Sequence, residues 1–380
     1  METKPKILFI LHLPPPIHGA AMVGKWIHDS KLINESFDCR YINLTAAANL
    51  SDIGKVGFAK VLQFSRMMTR IRRTVKVFKP DLVYVTPNAS GGAFYKDFMV
   101  VNMLKRMGCR VLCHYHNKGV RRRQTYAFDD QLYRSYFKNI KVLLIVPQLY
   151  DDMKKYLRIR DTYFCPNGTP ELLEEEIEAR RNNEIPEILY LSNLLVSKGI
   201  IDLLDALYLL RGEGRKFHCS VIGAEAAAMN REQLQIEIDS RHLTQMVDYE
   251  GPKYGKEKDY YLRKADMLAF PSYYPKETFG LVNLEAMEYK LPVISTNEGG
   301  IPYVVKDGET GLICSSRNPI SLAQCLSKLI ENPELRVSMG EAGYRSFKKE
   351  FTIDKFLERM VNVFNRVLVE MPLQKQKRLY

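Results

Sequence analysis

The sequence predicts an α/β protein made of two Rossmann-like, doubly wound parallel-sheet domains facing a cleft. Three observations carry this expectation. The chain has 380 residues, too many for one ordinary core and suited to two domains of roughly 150–200 residues each. Short apolar runs alternate with helix-period segments from end to end, the pattern of parallel strands covered by crossover helices. The alternation is interrupted once, by the polar, turn-rich stretch NGTPELLEEEIEARRNNEIP at 167–186, and then restarts.

The first half offers strands at 6–12, about 39–43, 81–85, 110–115, 141–146 and 162–166, separated by helical stretches near 20–31, 57–78, 94–107 and 149–157. The apolar opening ILFILHL follows Lys4 and Lys6 and resembles a short signal-peptide core. Three prolines follow at once, so it reads instead as a strand buried on both faces. In the second half, strands are expected at 187–192, 217–222, 246–250, 267–270, 291–295 and 311–313, with helices near 199–211, 229–241, 257–264, 280–289 and 319–331. The last helix pattern, 351–371, has no strand after it and is expected to pack back on the first domain. The domains expected are therefore 1–167, joined by a C-terminal helix of about 351–380, and 168–350.

Hydrophobic residues at 46% and charged residues at 26% suit a globular chain. No apolar run approaches the roughly 20 residues that span a bilayer. Seven cysteines, an odd number without paired spacing, point to reduced thiols in a cytoplasm. Cys109 and Cys113 stand beside His114 and His116, but no second ligand pair accompanies them, so no metal site is expected. The net charge of +12 implies an anionic partner. Much of the excess is local: Arg66, Arg70, Arg73 and Lys76 in a helix-period segment, and Arg121, Arg122 and Arg123 in a row. These form either a solvated surface or a face resting on anionic headgroups of the inner membrane surface. No nucleic-acid-binding pattern accompanies the charge, so nucleic acid is not an expected partner.

Several loops at expected strand ends carry the residue types of an anion site. Gly19 opens a helix after strand one, where backbone N–H groups approach an anion closely. HYHNKG at 114–119 ends a parallel strand and brings His116 to the edge where open α/β sheets bind ligands. LSNLLVSKG at 191–199 places Ser192, Asn193 and Lys198 ahead of a helix, adding a cation to the positive end of its dipole. Then come FPSYYPKETFGLVNLEAM and STNEGGIPYVVKDGETGLI, with Gly280, Gly299 and Gly300 at further turns. The nicotinamide-binding Gly-x-Gly-x-x-Gly and the P-loop are both missing, which disfavours an oxidoreductase.

These motifs, with HGAA, HYH, PNG and SKG in the same order, make the chain resemble the retaining glycosyltransferases of family 4, the group 1 glycosyl transferases of GT-B architecture. The Glu-x7-Glu element followed by Gly-Gly-x-Pro is the most specific part; general similarity points to bacterial surface polysaccharide such as capsule or O-antigen. The resemblance implies a nucleotide-diphosphate sugar donor, a lipid-linked saccharide acceptor, a cytoplasmic enzyme peripheral to the membrane, and no metal or other cofactor. It implies that Gly19 approaches the donor diphosphate, that His116 lies near donor sugar and acceptor, and that Lys198 grips the phosphates. Glu277 then contacts sugar hydroxyls, the backbone of Phe279, Gly280 and Leu281 lies close to sugar and phosphate, and Glu285 accepts from the ribose. His116, Lys198 and Glu277 are the catalytic candidates.

Two positions depart from the family pattern. Asn193 replaces the arginine usual five residues before the lysine, which removes one diphosphate cation, and Tyr303 replaces a glutamate. A catalytically weak nucleotide-sugar-binding protein is the competing expectation.

Overall fold

The computed structural model describes residues 3–15, 18–44, 58–172 and 183–371. Most of the acidic half of the expected linker, 173–182, lies outside them. Two compact units are present: Met1–Asn167 with Ile353–Tyr380, and Gly168–Thr352.

The first unit runs β1 (Lys6–Leu11), α1 (Gly19–Asp29), α2 (Lys31–Ser36), β2 (Asp38–Asn43), α3 (Phe58–Phe78), β3 (Leu82–Val85), α4 (Gly92–Arg106), β4 (Val111–Tyr115), α5 (Val120–Arg123), α6 (Ala127–Tyr136), β5 (Lys141–Leu144), α7 (Tyr150–Met153) and β6 (Thr162–Phe164). Its strands form one parallel sheet in the order β2-β1-β3-β4-β5-β6. β1, β3 and β4 are almost wholly buried, as continuous apolar runs covered on both faces should be. The helix expected over 149–157 is instead a 3-10 turn at Pro147–Leu149 and the single turn α7. Its Asp152 carboxylate accepts from the N–H groups of Gly119, Val120 and Arg121 at 2.8, 2.9 and 3.1 Å. That turn therefore serves to cap α5.

The second unit runs β7 (Glu187–Leu191), α8 (Ile200–Gly212), β8 (His218–Ile222), α9 (Arg231–Ser240), β9 (Val247–Gly251), α10 (Lys256–Lys264), β10 (Met267–Phe270), α11 (Leu281–Glu288), β11 (Val293–Thr296), α12 (Ile301–Val304), β12 (Gly311–Cys314), α13 (Pro319–Glu331) and α14 (Pro333–Glu350). Its parallel sheet has the order β12-β11-β10-β7-β8-β9. The order reverses between β7 and β10, and open sheets of this kind bind ligands in the crevice at that switch point.

The final helix, α15 (Ile353–Glu370), belongs to the first unit. It buries Phe356, Met360, Val363, Phe364 and Val367 at helical spacing. Phe364 sits edge-on to Phe9, Phe37 and Tyr84 at 5.6, 5.8 and 5.6 Å between ring centroids, which ties α15 to β1, β3 and the turn before β2.

Candidate functional site

The β7 and β10 loops of the second unit meet at the switch point. Tyr273 N–H donates to the Ser197 carbonyl at 2.9 Å and stitches them together. Lys198 ends a 3-10 turn at Val196–Lys198, and Gly199, with φ +86°, turns the chain into α8. A Cβ at 199 would run into the Pro271 carbonyl, so glycine is what lets the two loops approach.

That approach brings Lys198 and Glu277 together. Lys198 Nζ lies 2.5 Å from Glu277 Oε2 and sits over the Phe270 and Tyr274 rings at 5.2 and 4.9 Å. Ser272 Oγ donates to the same carboxylate oxygen at 3.1 Å. Glu277 is only 8% exposed. Three residues on, Gly280 at φ +69° caps α11 without any side-chain hydrogen bond. Asn283 N–H donates to the Gly280 carbonyl at 2.9 Å, and the N–H groups that lead a helix ahead of such a bond favour an anion. Phe279 is buried against Phe351 at 6.0 Å, while Leu281 is half-buried at the start of the helix. The sequence expectation treated Lys198 and Glu277 as two separate grips; the structure makes them one charge-neutralised pair. A group that engaged Lys198 would share it with Glu277 or take it from Glu277.

Glu285 lies one turn further along α11 and pairs with Lys258 of α10 at 2.9 Å, both side chains being about a quarter exposed. Neither Lys258 nor Ser272 was singled out from sequence; each is an ordinary polar residue until folding sets it against a carboxylate. Asn193 is exposed and its Oδ1 accepts from Ala224 N–H at 3.4 Å, a long contact that ties it to the loop after β8. Tyr303 packs near Phe351 at 6.3 Å with Lys306 over its ring at 5.3 Å.

Gly19 and His116 fall in the first unit. His18 caps α1, its Nδ1 accepting from Ala21 N–H at 3.3 Å, so Gly19 is the exposed first residue of that helix. His12 and His18 lie 6.0 Å apart between ring centroids, and His114 and His116 4.1 Å apart. Burial pushes His116 down to about 3, reinforced by His12 and His18. His12 falls to about 4 through burial, then His18 and Lys96, and burial lowers His18 as well. These imidazoles are thus neutral near pH 7 and able both to donate and to accept. Sequence reasoning missed His12 and His18, although His18 precedes Gly19 directly. His114 is fully buried against the Tyr84 hydroxyl at 2.7 Å, a structural contact.

Arg66, Arg70 and Arg73 are exposed on α3, and Arg66 and Arg70 line a groove with Ile42, Gln63, Phe64 and Met67. Arg121 and Arg122 are also exposed. Arg123 is not a free surface cation: its Nε donates to buried Asp129 at 2.5 Å and its guanidinium to Tyr95 at 3.1 Å. Among the described residues, no group of three or more His, Cys, Asp or Glu is arranged to hold a metal ion. No described helix is long and apolar enough to cross a membrane.

Comparison with known proteins matches residues 171–346 to the family model described as glycosyl transferases group 1. A Staphylococcus aureus capsular polysaccharide biosynthesis glycosyltransferase, CapM, is 27% identical over 198 residues, 52% of this chain and 50% of the relative. The first curated relatives are matched over 28% to 50% of their own length. Among solved structures, sucrose-phosphate synthase from Thermosynechococcus elongatus has a TM-score of 0.74 at 19% identity, covering 96% of this chain and 100% of that one. Anabaena HepE in complex with UDP-glucose has a TM-score of 0.70 at 16% identity, covering 95% and 99%. Both likenesses show a shared fold of GT-B type across nearly the whole chain. Lys198, Lys258, Glu277 and Glu285 all lie within the residues that match the glycosyl transferases group 1 model.

Proposed function

We propose that the protein is a retaining, family 4 glycosyltransferase of the hexosyltransferase type. It moves a sugar from a nucleotide-diphosphate donor to a lipid-linked saccharide in bacterial surface polysaccharide synthesis. The observation that carries this reading is the convergence of Lys198, Glu277 and the open N-terminus of α11 at the switch point of the second sheet. Such a constellation stabilises charge developing on a leaving phosphate, and one well-aimed donor is typically worth about 3–4 kcal/mol. The group 1 match over this unit supports it. So does the relative named for capsular polysaccharide biosynthesis, and a neighbour of the same fold was solved with UDP-glucose.

In this reading Lys198 and α11 hold the diphosphate, Glu277 accepts from sugar hydroxyls and Glu285 from the ribose. The bond from the anomeric carbon to the phosphate oxygen breaks, and the acceptor oxygen bonds to that carbon on the same face. The leaving phosphate takes the acceptor's proton. Protein cations and backbone N–H groups supply the neutralisation, so the mechanism calls for no metal. Gly19 and neutral His116 keep in this reading the roles that the family pattern gives them. Exposed Arg66, Arg70, Arg73, Arg121 and Arg122 hold the protein against the cytoplasmic face of the membrane.

Nucleotide release from a panel of nucleotide sugars, with and without extracted lipid acceptors, tests the proposal. Glu277→Ala should abolish the turnover seen with wild type. Equal background release by both proteins with every donor refutes the enzyme and leaves a nucleotide-sugar-binding protein, the reading that uncharged Asn193 favours.

A further inference from the structure

The positive charge of this chain has a further centre that neither α3 nor the arginine row at 121–123 accounts for. A pocket of about 290 Å³ lies between the C-terminal ends of α4 and α6, lined by Asn102, Lys105, Arg106, Ser135, Lys138 and Asn139. These helices lead into the starts of β4 and β5, so the pocket stands at the sheet edge opposite His116, which follows the end of β4. Every lining side chain is a cation or a neutral group able to donate. Both lining segments are also free of acids, since residues 98–128 and 131–150 contain no Asp or Glu. Lys105 Nζ donates to the Ser135 and Tyr136 carbonyls at 2.6 and 3.1 Å, which caps α6 and leaves the ammonium one further donor. Arg106 and Lys138 are exposed and have no ion-pair partner among the described residues. Burial lowers the Lys105 ammonium below the usual lysine value; Cys113 opposes the fall and Lys138 adds to it. Two helix C-termini supply about half a negative charge each, so about two of the positive charges stay unbalanced.

We propose that this pocket is a binding site for a phosphate-bearing dianion, held by Arg106, Lys138 and the remaining Lys105 donor, with Asn102, Ser135 and Asn139 donating to its oxygens. The inference is independent of the glycosyltransferase reading and of the cations in the second unit. A phosphate ester carries close to two negative charges at neutral pH and three strong acceptor oxygens, which matches the unbalanced charge and a lining that donates throughout. Guanidinium and ammonium donors make charge-assisted bonds to such oxygens, roughly twice as strong as neutral ones. No large apolar side chain lines the pocket, so it suits a hydrophilic phosphate and not an acyl chain. The recognised chemistry is the phosphate group, carried either by a soluble molecule or by a lipid headgroup.

The experiment is equilibrium dialysis of the full chain against labelled inorganic phosphate at pH 8, at fixed ionic strength in chloride and with excess UDP to fill any nucleotide site. Wild type is compared with Arg106→Gln, Lys138→Gln and the double variant. Wild type should bind phosphate saturably, and each single variant should bind it about tenfold or more weakly. Phosphate should raise the melting temperature of wild type and leave that of the double variant unchanged. In chloride alone, Lys138→Gln should melt no lower than wild type, since it removes a like charge beside Lys105. Sedimentation with vesicles of phosphatidylcholine and phosphatidic acid identifies the source. Variants that lose free phosphate and sediment like wild type support a soluble phosphate, whereas variants that lose both support a headgroup. Phosphate binding that is absent from wild type, or equal in wild type and the double variant, overturns the inference. A double variant that melts lower in chloride and still binds phosphate like wild type overturns it as well and marks the cations as helix caps. Should the double variant fail to fold, Lys138→Gln carries the same comparison.

Discussion

Lys198→Met should cost stability as well as activity, and the loss should be unequal across the ion pair. The 2.5 Å contact joins side chains that are 18% and 9% exposed. Deleting one partner of a fully buried pair strands the other charge at a cost of about 3–5 kcal/mol. The residual exposure of Lys198 and the Ser272 hydroxyl on the surviving carboxylate bring the expectation for Lys198→Met to about 2–4 kcal/mol. Glu277→Gln should cost less, about 1–2 kcal/mol, because the lysine keeps the faces of Phe270 and Tyr274 and an amide oxygen to donate to. At about 2–4 °C per kcal/mol for a domain of this size, the lysine variant should melt roughly 4–16 °C below wild type. The double variant leaves no unpaired charge and should recover at least about 1 kcal/mol relative to additivity. Thermal and urea melts of the two single variants, the double variant and wild type measure all of these. A Lys198→Met protein melting within about 1 °C of wild type, or strictly additive single variants, would refute the claim that the two charges depend on each other.

Other consequences are open to measurement. Burial pushes Glu288 up to about 7, with Glu285 and Glu171 adding to the effect, while the Leu172 N–H and Lys258 oppose it. Its folded value exceeds its unfolded one, so the stability it contributes is present below about 4.5 and is lost as pH rises through 7. Glu288→Gln should therefore raise stability at pH 8, by roughly 3 kcal/mol at most, and leave it unchanged near pH 4; equal melts at pH 8 contradict this. His218 is raised by its hydrogen bond to Glu187, with Asp248 assisting. Its contribution is complete below the unfolded histidine value of 6.5 and fades above the raised folded one. Melts of His218→Gln should accordingly show a larger deficit at pH 5.5 than at pH 9, and a deficit independent of pH would count against it. For the membrane proposal, Arg70→Glu with Arg73→Glu should reduce sedimentation with anionic vesicles and leave the melting temperature within about 1 °C; undiminished sedimentation would rule out that face of α3.

The parallel strands were legible because a strand covered on both faces must be apolar throughout, as in LVYV of β3 and MLAF of β10. Helices with a broad apolar stripe were equally visible, α15 most of all. The elements missed share a different cause. α5 and α12 are single turns, too short to show a period. α14 has 18 residues, but its buried face includes Gly340 and Gly343. A Cβ on Gly340 would run into the Lys290 carbonyl, and one on Gly343 would come within 3.3 Å of Met287 Cγ. Close approach there replaces the large apolar side chains that periodicity detects. α6 hides in the same way behind aromatic tyrosines, with Tyr133 and Tyr136 buried although they read as polar.

Residue types at strand ends, and their motif order, are properties of the chain itself, and from them the candidate residues could be named. The pairing of those residues is not local. Lys198 and Glu277 are 79 positions apart and meet because the sheet order sets β7 beside β10. Arg123 was read as a surface cation until Asp129 claimed it, and His12, His18 and His116 are neutral because folding removes the water that would solvate their charge. Sequence alone therefore determined the periodic burial pattern, and with it the two parallel sheets, since both follow from how one short segment partitions between water and core. Only tertiary structure decided which charges neutralise one another and which imidazoles stay neutral, because strand order and desolvation depend on groups far away in the chain.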